Sequence, residues 1–345
     1  MRAVRLRAPG HPVEDADVPM PPCGAGDVLV RVRAAGICHS DVHYRAGRSR
    51  VEPLPLTLGH EVAGEVVEVG EQVTTPRVGD RVCLHYLVTC QACPDCLAGR
   101  EQFCATGKML GHFTDGGWAE YIAVPARNAV PLPPSVPFAQ GAIMMCSSST
   151  SLHALRKGRL AAGETVLVVG AGGLGMSAVQ LARTLGAADV IAVDRDPAKL
   201  ALAERFGART LQAAELTPEA VVAQVRAMTH GRGVDVALEL VGKPDTMRIA
   251  LQSLAPLGRA VVVGLSDLAL SVDSYRDLIG REAELIGSND HLLSELYELV
   301  EMAHAGVLNL TDVVTHTVPL QARDINEVLD ALGRHQAPVR TVVVP

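Results

Sequence analysis

The second half of the chain constrains the fold most, because apolar strand-like runs alternate there with helix-like runs. From about residue 150 the sequence reads TVLVVG, GMSAVQLARTLG, DVIAVD and PAKLALAERFG, and the alternation continues through VDVALELVG, TMRIALQSLA, GRAVVVGL and AELIGS. Strands that alternate with helices form βαβ units, in which a parallel sheet is covered on both faces and the crossovers are right-handed. The pattern predicts a doubly wound α/β domain that ends near residue 287.

The first of these strands is followed by a glycine pattern, Gly170-x-Gly172-x-x-Gly175, which leads into a helix. The first glycine makes a tight turn, the second lets the backbone approach a pyrophosphate, and the third lets the helix pack on the strand. The helix start offers free N–H groups to phosphate oxygens. We therefore expect a dinucleotide to bind here, with Gly173 and Leu174 among its contacts. The alternative is a glycine-rich turn without a ligand.

Asp194 ends the next predicted strand, nineteen residues after Gly175. A carboxylate at this place can accept hydrogen bonds from both ribose hydroxyls and would repel a 2′-phosphate, which favours NAD over NADP. Arg195, the next residue, weakens that preference because its charge would attract the same phosphate.

The first 130 or so residues have a different texture, with β-branched runs separated by Gly and Pro. DVLVRVRAAG alternates apolar and polar residues as a half-buried strand does, and HEVAGEVVEVG and GDRVCLHYL are similar. We expect an irregular, antiparallel, barrel-like region. The final VRTVVVP resembles this region, so we place the dinucleotide domain at 148–287 as an insertion into a catalytic domain formed by 1–147 and 288–345.

Composition excludes several classes of function. The net charge is −7 and only 3% of the residues are aromatic, which argues against a basic or base-stacking nucleic-acid surface. The N-terminus lacks an apolar signal region, and the uncharged stretch 165–182 contains grouped glycines that suit a strand and turn better than a membrane span. We expect a cytoplasmic protein without a nucleic-acid or membrane partner.

Four cysteines lie within fifteen residues, at Cys90, Cys93, Cys96 and Cys104. Four thiolates suit a closed tetrahedral zinc site, which has no open position for a substrate. The first part of the spacing also resembles an iron–sulfur run, but the last gap differs and no Pro follows the fourth cysteine. An iron–sulfur cluster and a redox disulfide pair are the alternatives.

The motifs GICHSDVH, LGHEVAGEVVEVG, DGGWAEY, CSSSTSLHAL and VVGAGGLG, together with the four-cysteine loop, follow one another as in zinc-dependent medium-chain alcohol dehydrogenases. The resemblance covers essentially the whole chain. It implies a GroES-like irregular β-barrel catalytic domain and a Rossmann coenzyme domain, with one catalytic and one structural zinc ion in each subunit. It also implies that NAD exchanges a hydride with an alcohol, giving an aldehyde or ketone.

Residue roles follow from the same resemblance. Cys38, His60 and Cys146 would hold the catalytic zinc, and Glu61 would be the acidic neighbour that can enter the zinc sphere. Asp41 would orient the ligand His60. Ser40 would accept the alcohol proton and His43 would pass it on to solvent. The remaining coenzyme contacts would be Lys199 at the ribose and His39 and Arg340 at the pyrophosphate.

Several alternatives stay open at this point. Polyol and threonine dehydrogenases of the same family typically carry Glu where Cys146 stands, which favours simple alcohols. A redox sensor that binds zinc and NAD without turnover is an alternative from a different class of protein. Ser40 and His43 argue against it, because a sensor needs no proton relay. Tyr86, Leu110 and Trp118 either line the substrate pocket or pack the domain. The family forms homodimers or homotetramers, and subunits could pair through the RAVVVGL strand if it lies at the sheet edge.

Overall fold

The computed structural model describes residues 1–345 and contains eighteen strands and ten α-helices. The strands are β1 Arg2–Leu6, β2 Glu14–Asp17, β3 Asp27–Ile37, β4 Leu56–Thr57, β5 Val62–Val69, β6 Arg81–Leu84, β7 Leu87–Val88, β8 Lys108–Met109, β9 Tyr121–Pro125, β10 Ala129–Pro131, β11 Thr165–Val169, β12 Asp189–Asp194, β13 Arg209–Gln212, β14 Val234–Glu239, β15 Leu254–Val262, β16 Glu284–Gly287, β17 Val314–Pro319 and β18 Arg340–Val344. The helices are α1 His39–Ala46, α2 Pro94–Leu97, α3 Phe138–Ile143, α4 Ser149–Lys157, α5 Gly173–Thr184, α6 Pro197–Arg205, α7 Pro218–Met228, α8 Pro244–Gln252, α9 Leu293–His304 and α10 Ala322–Gly333. Short 3-10 helices span Glu101–Phe103, Ala126–Asn128 and Ile279–Arg281, and π-helical turns span Met144–Ser148 and Ser274–Leu278.

The chain divides into two compact units, one formed by Met1–Ser149 with Leu292–Pro345 and the other by Thr150–His291. The domain boundaries predicted from the sequence lie at 147/148 and 287/288.

The unit Thr150–His291 contains a six-stranded sheet in the order β13-β12-β11-β14-β15-β16, and every pairing in it is parallel. Its central strands are buried almost throughout, which explains their continuous apolar runs. Numbered from β11, the order is 3-2-1-4-5-6, so the order in which successive strands are added reverses between β11 and β14. The predicted doubly wound parallel sheet is confirmed.

The RAVVVGL segment does not lie at the edge of this sheet. Its first residues belong to β15, which pairs with β14 on one side and β16 on the other, so the edge strand is β16. Strand order is set by contacts between residues that are distant in the sequence, and the local pattern of a strand does not determine its neighbours.

The other unit is built around β3, an eleven-residue strand that pairs antiparallel with β5, β9 and β18. The seven-stranded sheet runs β10-β6-β5-β3-β18-β17, with β9 as its seventh strand paired to β3. Smaller sheets of three and two strands (β2-β1-β4 and β7-β8) complete the unit. Strand β18 joins β3 through Val342↔Gly36 and joins β17 in parallel. The end of the sequence therefore belongs to the same sheet as its first long strand.

No helix is both long enough and apolar enough to cross a membrane.

Candidate active site and metal centres

Four buried side chains from separate parts of the chain converge in the first unit. Cys38 precedes α1, His60 and Glu61 lie between β4 and β5, and Cys146 lies in the π-helical turn Met144–Ser148. Their ligand atoms all lie within 4.8 Å of one another, and the two sulfur atoms are 4.0 Å apart. These are the residues that the sequence assigned to the catalytic zinc, and the fold brings all four together.

Asp41 holds two members of this cluster from behind. Its carboxylate is fully buried, one oxygen accepts a hydrogen bond from the Cys38 backbone N–H at 2.8 Å, and the other lies 3.3 Å from Nδ1 of His60. Since Nδ1 faces a carboxylate, Nε2 is the nitrogen left for a metal. A carboxylate behind a ligating imidazole fixes the ring and raises its basicity. Although burial disfavours the imidazolium, Asp41 outweighs it and raises the pKa of His60.

Glu61 has a second charged neighbour that the sequence did not connect with it. Oε2 of Glu61 accepts a hydrogen bond from the guanidinium of Arg340, the first residue of β18, and both side chains are buried. Burial raises the pKa of Glu61 to about 7, and Arg340 opposes that shift. Oε1 of Glu61 is buried without a hydrogen-bond partner, which leaves it able to approach a metal. A Cβ at position 36 would collide with the Glu61 carboxylate, so Gly36 is required in β3.

The structure places the Arg340 guanidinium against Glu61, while the sequence assigned it to a pyrophosphate. Burial disfavours its cation, but the charge of Glu61 outweighs this effect and raises the pKa of Arg340. Its contact with the coenzyme stays a prediction. The ion pair joins residues 279 positions apart, a distance at which no sequence pattern could have signalled it.

Contact between the two thiols of the cluster shifts their pKa values in opposite directions. The hydrogen bond from Cys146 lowers the pKa of Cys38, whereas the same contact and burial raise the pKa of Cys146. Two sulfur atoms, an imidazole nitrogen and a carboxylate oxygen without a hydrogen-bond partner form a donor set that fits zinc. If only Cys38, His60 and Cys146 bind the ion, a tetrahedral zinc would keep its fourth position for a small molecule.

The residues of the predicted proton relay lie on the first turns of α1. Oγ of Ser40 is 3.9 Å from the Cys38 sulfur, and His43 follows three positions later, which places it on the same face of the helix. The His39 ring lies 5.3 Å from that of His43 and stacks at 5.4 Å on His335 of the same unit. Burial lowers the pKa of His39. The roles of these residues stay predictions.

Aromatic rings surround the ligand His60. Tyr86 meets its ring edge-on at 5.3 Å and Tyr44 at 6.2 Å. Tyr86, Leu110 and Trp118 are all buried, and the Trp118 indole donates to the carbonyl oxygen of Gly36 at 3.3 Å. Trp118 thus packs the domain core beside the metal centre.

The four clustered cysteines form the second group of possible ligands. Their sulfur atoms also lie within 4.8 Å of one another, none is fully buried, and no disulfide joins them. Backbone N–H groups of Ala92 and Cys93 point at the sulfur of Cys90 from 3.5 and 3.3 Å and lower its pKa to about 6. Four sulfur donors of this kind fit a closed zinc site.

Glu101 attaches this lobe to its unit. One carboxylate oxygen accepts from Arg127 at 3.1 Å, and the other accepts from the backbone N–H of Leu293 at 2.6 Å, at the start of α9. Arg127 also donates to the carbonyl and the hydroxyl oxygen of Thr89, which directly precedes the first cysteine. The sequence analysis did not identify this network.

The second unit carries the glycine loop between β11 and α5. Gly170 has φ +100°, Gly172 caps the helix, and a Cβ at Gly175 would collide with the carbonyl oxygen of Gly170. Gly173 and Leu174 form the first turn of α5. Gly170 and Gly175 therefore have the steric roles that the pattern predicts, and the first backbone N–H groups of the helix are available for phosphate oxygens.

Asp194 ends β12 as predicted, and its carboxylate is already engaged with backbone groups. One oxygen accepts from the N–H groups of Arg195 and Asp196 at 2.7 and 2.9 Å, and the other accepts from Ala171 of the glycine loop at 2.7 Å. A carboxylate has about four lone-pair positions, so a ribose hydroxyl can still be accommodated. Arg195 is exposed and Lys199 lies in the first turn of α6.

Comparisons with known proteins agree with these observations. Residues 24–134 match the family model of the alcohol dehydrogenase GroES-like domain, and residues 173–305 match that of zinc-binding dehydrogenases. The chain is 36% identical to an L-threonine 3-dehydrogenase of Symbiobacterium thermophilum, over all of this chain and 98% of the relative. It is 35% identical to an NAD-dependent alcohol dehydrogenase of Sulfurisphaera tokodaii, over the whole of both chains. A solved structure from Sinorhizobium meliloti 1021, bound to NADP, superposes with a TM-score of 0.90 at 30% identity and covers all of this chain and 99% of its own.

Proposed function

Because the chain belongs to the zinc-dependent medium-chain alcohol dehydrogenase family, we propose a division of roles among its residues for NAD-dependent alcohol oxidation. The protein is an oxidoreductase that transfers a hydride reversibly between an alcohol and NAD, giving an aldehyde or a ketone. Its cofactors are NAD(H) and two zinc ions in each subunit. The observation that carries the proposal is the convergence of four buried donors within 4.8 Å in the first unit.

Cys38, His60 and Cys146 hold the catalytic zinc, and Glu61 is the neighbour that can exchange into its coordination sphere. Zinc at this site supplies Lewis acidity, which lowers the pKa of a bound hydroxyl group. Asp41 keeps the His60 ring oriented, and Arg340 balances the charge of Glu61. The buried ion pair keeps the Glu61 carboxylate at the ligand cluster.

Ser40 accepts the hydroxyl proton of the substrate and His43 passes it towards solvent. The proximity of Ser40 to the Cys38 sulfur, at 3.9 Å, supports this assignment. So does the i, i+3 spacing of the two residues, because it puts a hydroxyl and a partly exposed imidazole on one helix face. The imidazole suits proton transfer because its ordinary pKa, about 6.5, lies near neutral pH.

The glycine loop and the first turn of α5 bind the pyrophosphate, and Asp194 and Lys199 bind the adenosine ribose. His39 and Arg340 are proposed as further contacts to the pyrophosphate. The Asp194 carboxylate supports NAD as the coenzyme, since it would repel a 2′-phosphate. The exposed Arg195 would favour NADP, so the coenzyme preference has to be measured with both dinucleotides.

Cys90, Cys93, Cys96 and Cys104 hold a structural zinc ion. We place both metal sites in the domain formed by 1–147 and 288–345, and the coenzyme in 148–287, a division that the two compact units support. We propose a homodimer or homotetramer in the cytoplasm. Eight free thiols support a reducing compartment.

Threonine and polyols are the second candidate class of substrate, because a threonine dehydrogenase is among the full-length relatives at 36% identity. Cys146 at the ligand position favours simple alcohols over this class. A redox sensor that binds zinc and NAD without turnover is the third reading.

One assay separates these readings. The zinc-loaded protein is incubated with NAD, or with NADP, and a panel of primary alcohols, secondary alcohols, polyols and threonine, and NAD(P)H formation is followed by absorbance. Turnover of simple alcohols with NAD supports the proposal. Turnover of threonine or polyols alone would support the second candidate class of substrate. Coenzyme binding without turnover of any substrate would support the redox sensor.

A further inference from the structure

Glu239 is a fully buried carboxylate to which the proposed function gives no role. It is the last residue of β14 and lies in register with Val169, the last residue of β11 before the glycine loop. The strand order reverses between these two parallel strands, and α/β proteins bind dinucleotides beyond the carboxyl ends of the strands at such a point. Glu239 therefore lies immediately below the predicted coenzyme site.

One oxygen of Glu239 organises the turn that follows β14. Oε1 accepts hydrogen bonds from the backbone N–H groups of Val241 and Gly242 at 2.9 and 2.8 Å, and from the hydroxyl of Thr246 at 2.7 Å. Thr246 is the third residue of α8, and its hydroxyl also accepts from the N–H of Lys243 at 3.3 Å. The carboxylate thus fixes the turn 240–243 to both the strand and the helix.

The same turn packs directly on the glycine loop. A Cβ at Gly170 would lie 2.7 Å from Cγ2 of Val241, and the N–H of Leu240 donates to the carbonyl oxygen of Val169 at 3.0 Å. On its other side, a Cβ at Gly264 would collide with the backbone N of Gly242. Because the Val241 side chain fills the space beside Gly170, a shift of the turn would displace the loop that is proposed to receive the pyrophosphate.

Asp194 shows the same arrangement in the first half of the sheet. It too ends a strand and accepts two successive N–H groups from the turn that follows, while its second oxygen bonds to Ala171 of the glycine loop. The second oxygen of Glu239, Oε2, is buried and has no hydrogen-bond partner. The only hydrogen bonds that the Glu239 carboxylate makes are therefore those that shape the turn.

We propose that Glu239 is a positioning residue for the dinucleotide, which fixes the turn 240–243 against the glycine loop and so preforms the second mononucleotide half of the site. The inference rests on the proposed function, because it assigns the coenzyme to this sheet. Glu239 acts through the turn and does not touch the coenzyme, since its carboxylate is completely covered.

The test compares Glu239→Ala with the wild-type enzyme in NADH titration and in steady-state kinetics. We expect the Kd for NADH and the KM for NAD to rise about tenfold, which corresponds to about 1.4 kcal/mol, the size of one buried hydrogen bond. We expect kcat at saturating NAD to change less than about twofold, because the zinc site is unaltered. Glu239→Gln keeps the Oε1 acceptor and should restore most of the affinity.

Asp235→Ala is the matched control. Asp235 lies on the same strand at its opposite end, where it accepts the N–H of Thr165 at 2.8 Å and pairs with Arg232 at 2.6 Å. Its loss should lower the melting temperature without changing NADH affinity. If Glu239→Ala binds NADH as tightly as the wild type, or no more weakly than Asp235→Ala, the inference is wrong.

Thr246→Val decides the question if Glu239→Ala does not fold. It removes one of the three donors to Oε1, and we expect NADH affinity to fall about threefold with kcat retained. Unchanged affinity in that variant overturns the inference. Failure of the wild-type enzyme to bind NADH at all would instead overturn the proposed function, so the two failures are distinguishable.

Discussion

Cys146 lies in a π-helical turn, a geometry that is rare in helices and is often found at functional sites. Replacing it with Ala removes one sulfur donor from a buried cluster whose members come from three distant segments. We expect the zinc content of Cys146→Ala to fall from two ions per subunit to one, and NAD reduction to be lost. Elemental analysis and the alcohol assay measure the two effects.

Cys83→Ala serves as the control, because Cys83 is equally buried but lies outside both clusters. Burial raises the pKa of its thiol to about 12. This variant should keep both zinc ions. Full activity in Cys146→Ala would show that the ligand assignment is wrong.

His85 makes stability depend on pH independently of the metal sites. It is fully buried, and desolvation, with a smaller effect of Arg127, lowers its pKa to about 3. An unfolded His has a pKa of about 6.5. Between these values the unfolded chain binds a proton that the folded chain does not, so stability falls as the pH drops from about 6.5 towards 3.

Between pH 6.5 and 5.5, proton uptake by His85 in the unfolded chain should lower the free energy of unfolding by about 1 kcal/mol. His85→Phe keeps a flat ring and removes the titrating group. Urea denaturation at the two pH values should therefore show a drop that is about 1 kcal/mol smaller in the variant. Equal pH dependence in both proteins would contradict the prediction.

Sequence alone could predict the residues that have a local signature. Gly170, Gly172 and Gly175 have a fixed spacing, and the proposed zinc ligands lie in short motifs that a family resemblance identifies. Glu61–Arg340 and the Glu239 turn could not be predicted, because each depends on which backbone lies beside a buried carboxylate after folding. The Arg340 prediction shows the difference, since its motif was recognised while its ion-pair partner was not.

At the scale of elements, Glu101 attaches the cysteine lobe 90–104 to its unit, and we expect a zinc ion to hold its four thiols together. It contains only the four-residue helix α2 and a 3-10 turn, and it contributes exposed apolar side chains, Leu97 and Phe103, rather than a core. Structural zinc contributes about 10–16 kcal/mol to the folding of small domains that depend on it. The lobe should therefore loosen as a unit when the ion is removed.

We expect Cys104→Ala to lose the structural zinc and to be cleaved faster by trypsin after Arg100, whose exposed side chain pairs with Asp95 at 2.9 Å. The catalytic zinc should remain, because its ligands lie outside the lobe. Limited proteolysis with mass spectrometry, run beside Cys23→Ala as a non-ligand control, measures the change. An unchanged rate of cleavage at Arg100 would argue against a metal-held lobe.

The strands of the second unit could be predicted because buried parallel strands form continuous apolar runs, as in TVLVV and DVIAVD. The order of these strands in the sheet could not be predicted. The β16 segment, ELIG, is short and largely exposed because it lies at the sheet edge, a position that depends on strands far away in the sequence.

At the scale of the whole molecule, the proposed metal sites and the glycine loop lie in different compact units. The clustered metal donors all lie in Met1–Ser149, and the glycine loop lies in Thr150–His291. A ligand stabilises the folded part that binds it, by about 2.7 kcal/mol at a hundred times its Kd. Metal removal and coenzyme addition should therefore act on different parts of the chain.

Hydrogen exchange measures this division. We expect a chelator to increase exchange in the unit formed by Met1–Ser149 and Leu292–Pro345 while the strands β11 to β16 stay protected. NADH should slow exchange at the glycine loop and α5. Deprotection of the parallel sheet by the chelator would contradict the prediction.

The pairing of β18 with β3 also has a consequence for biosynthesis. The ribosome makes β3 early, but it makes β18 only after the entire inserted unit. Strand β18 begins about 190 residues after Ser149. At about 5–20 residues per second, this leaves the nascent first unit incomplete for roughly 10–40 s. During that interval Glu61 lacks Arg340 and β3 has an open edge, while the inserted unit, continuous in sequence, can already fold. Chaperones that shield exposed strand edges would have their longest opportunity to act at β3.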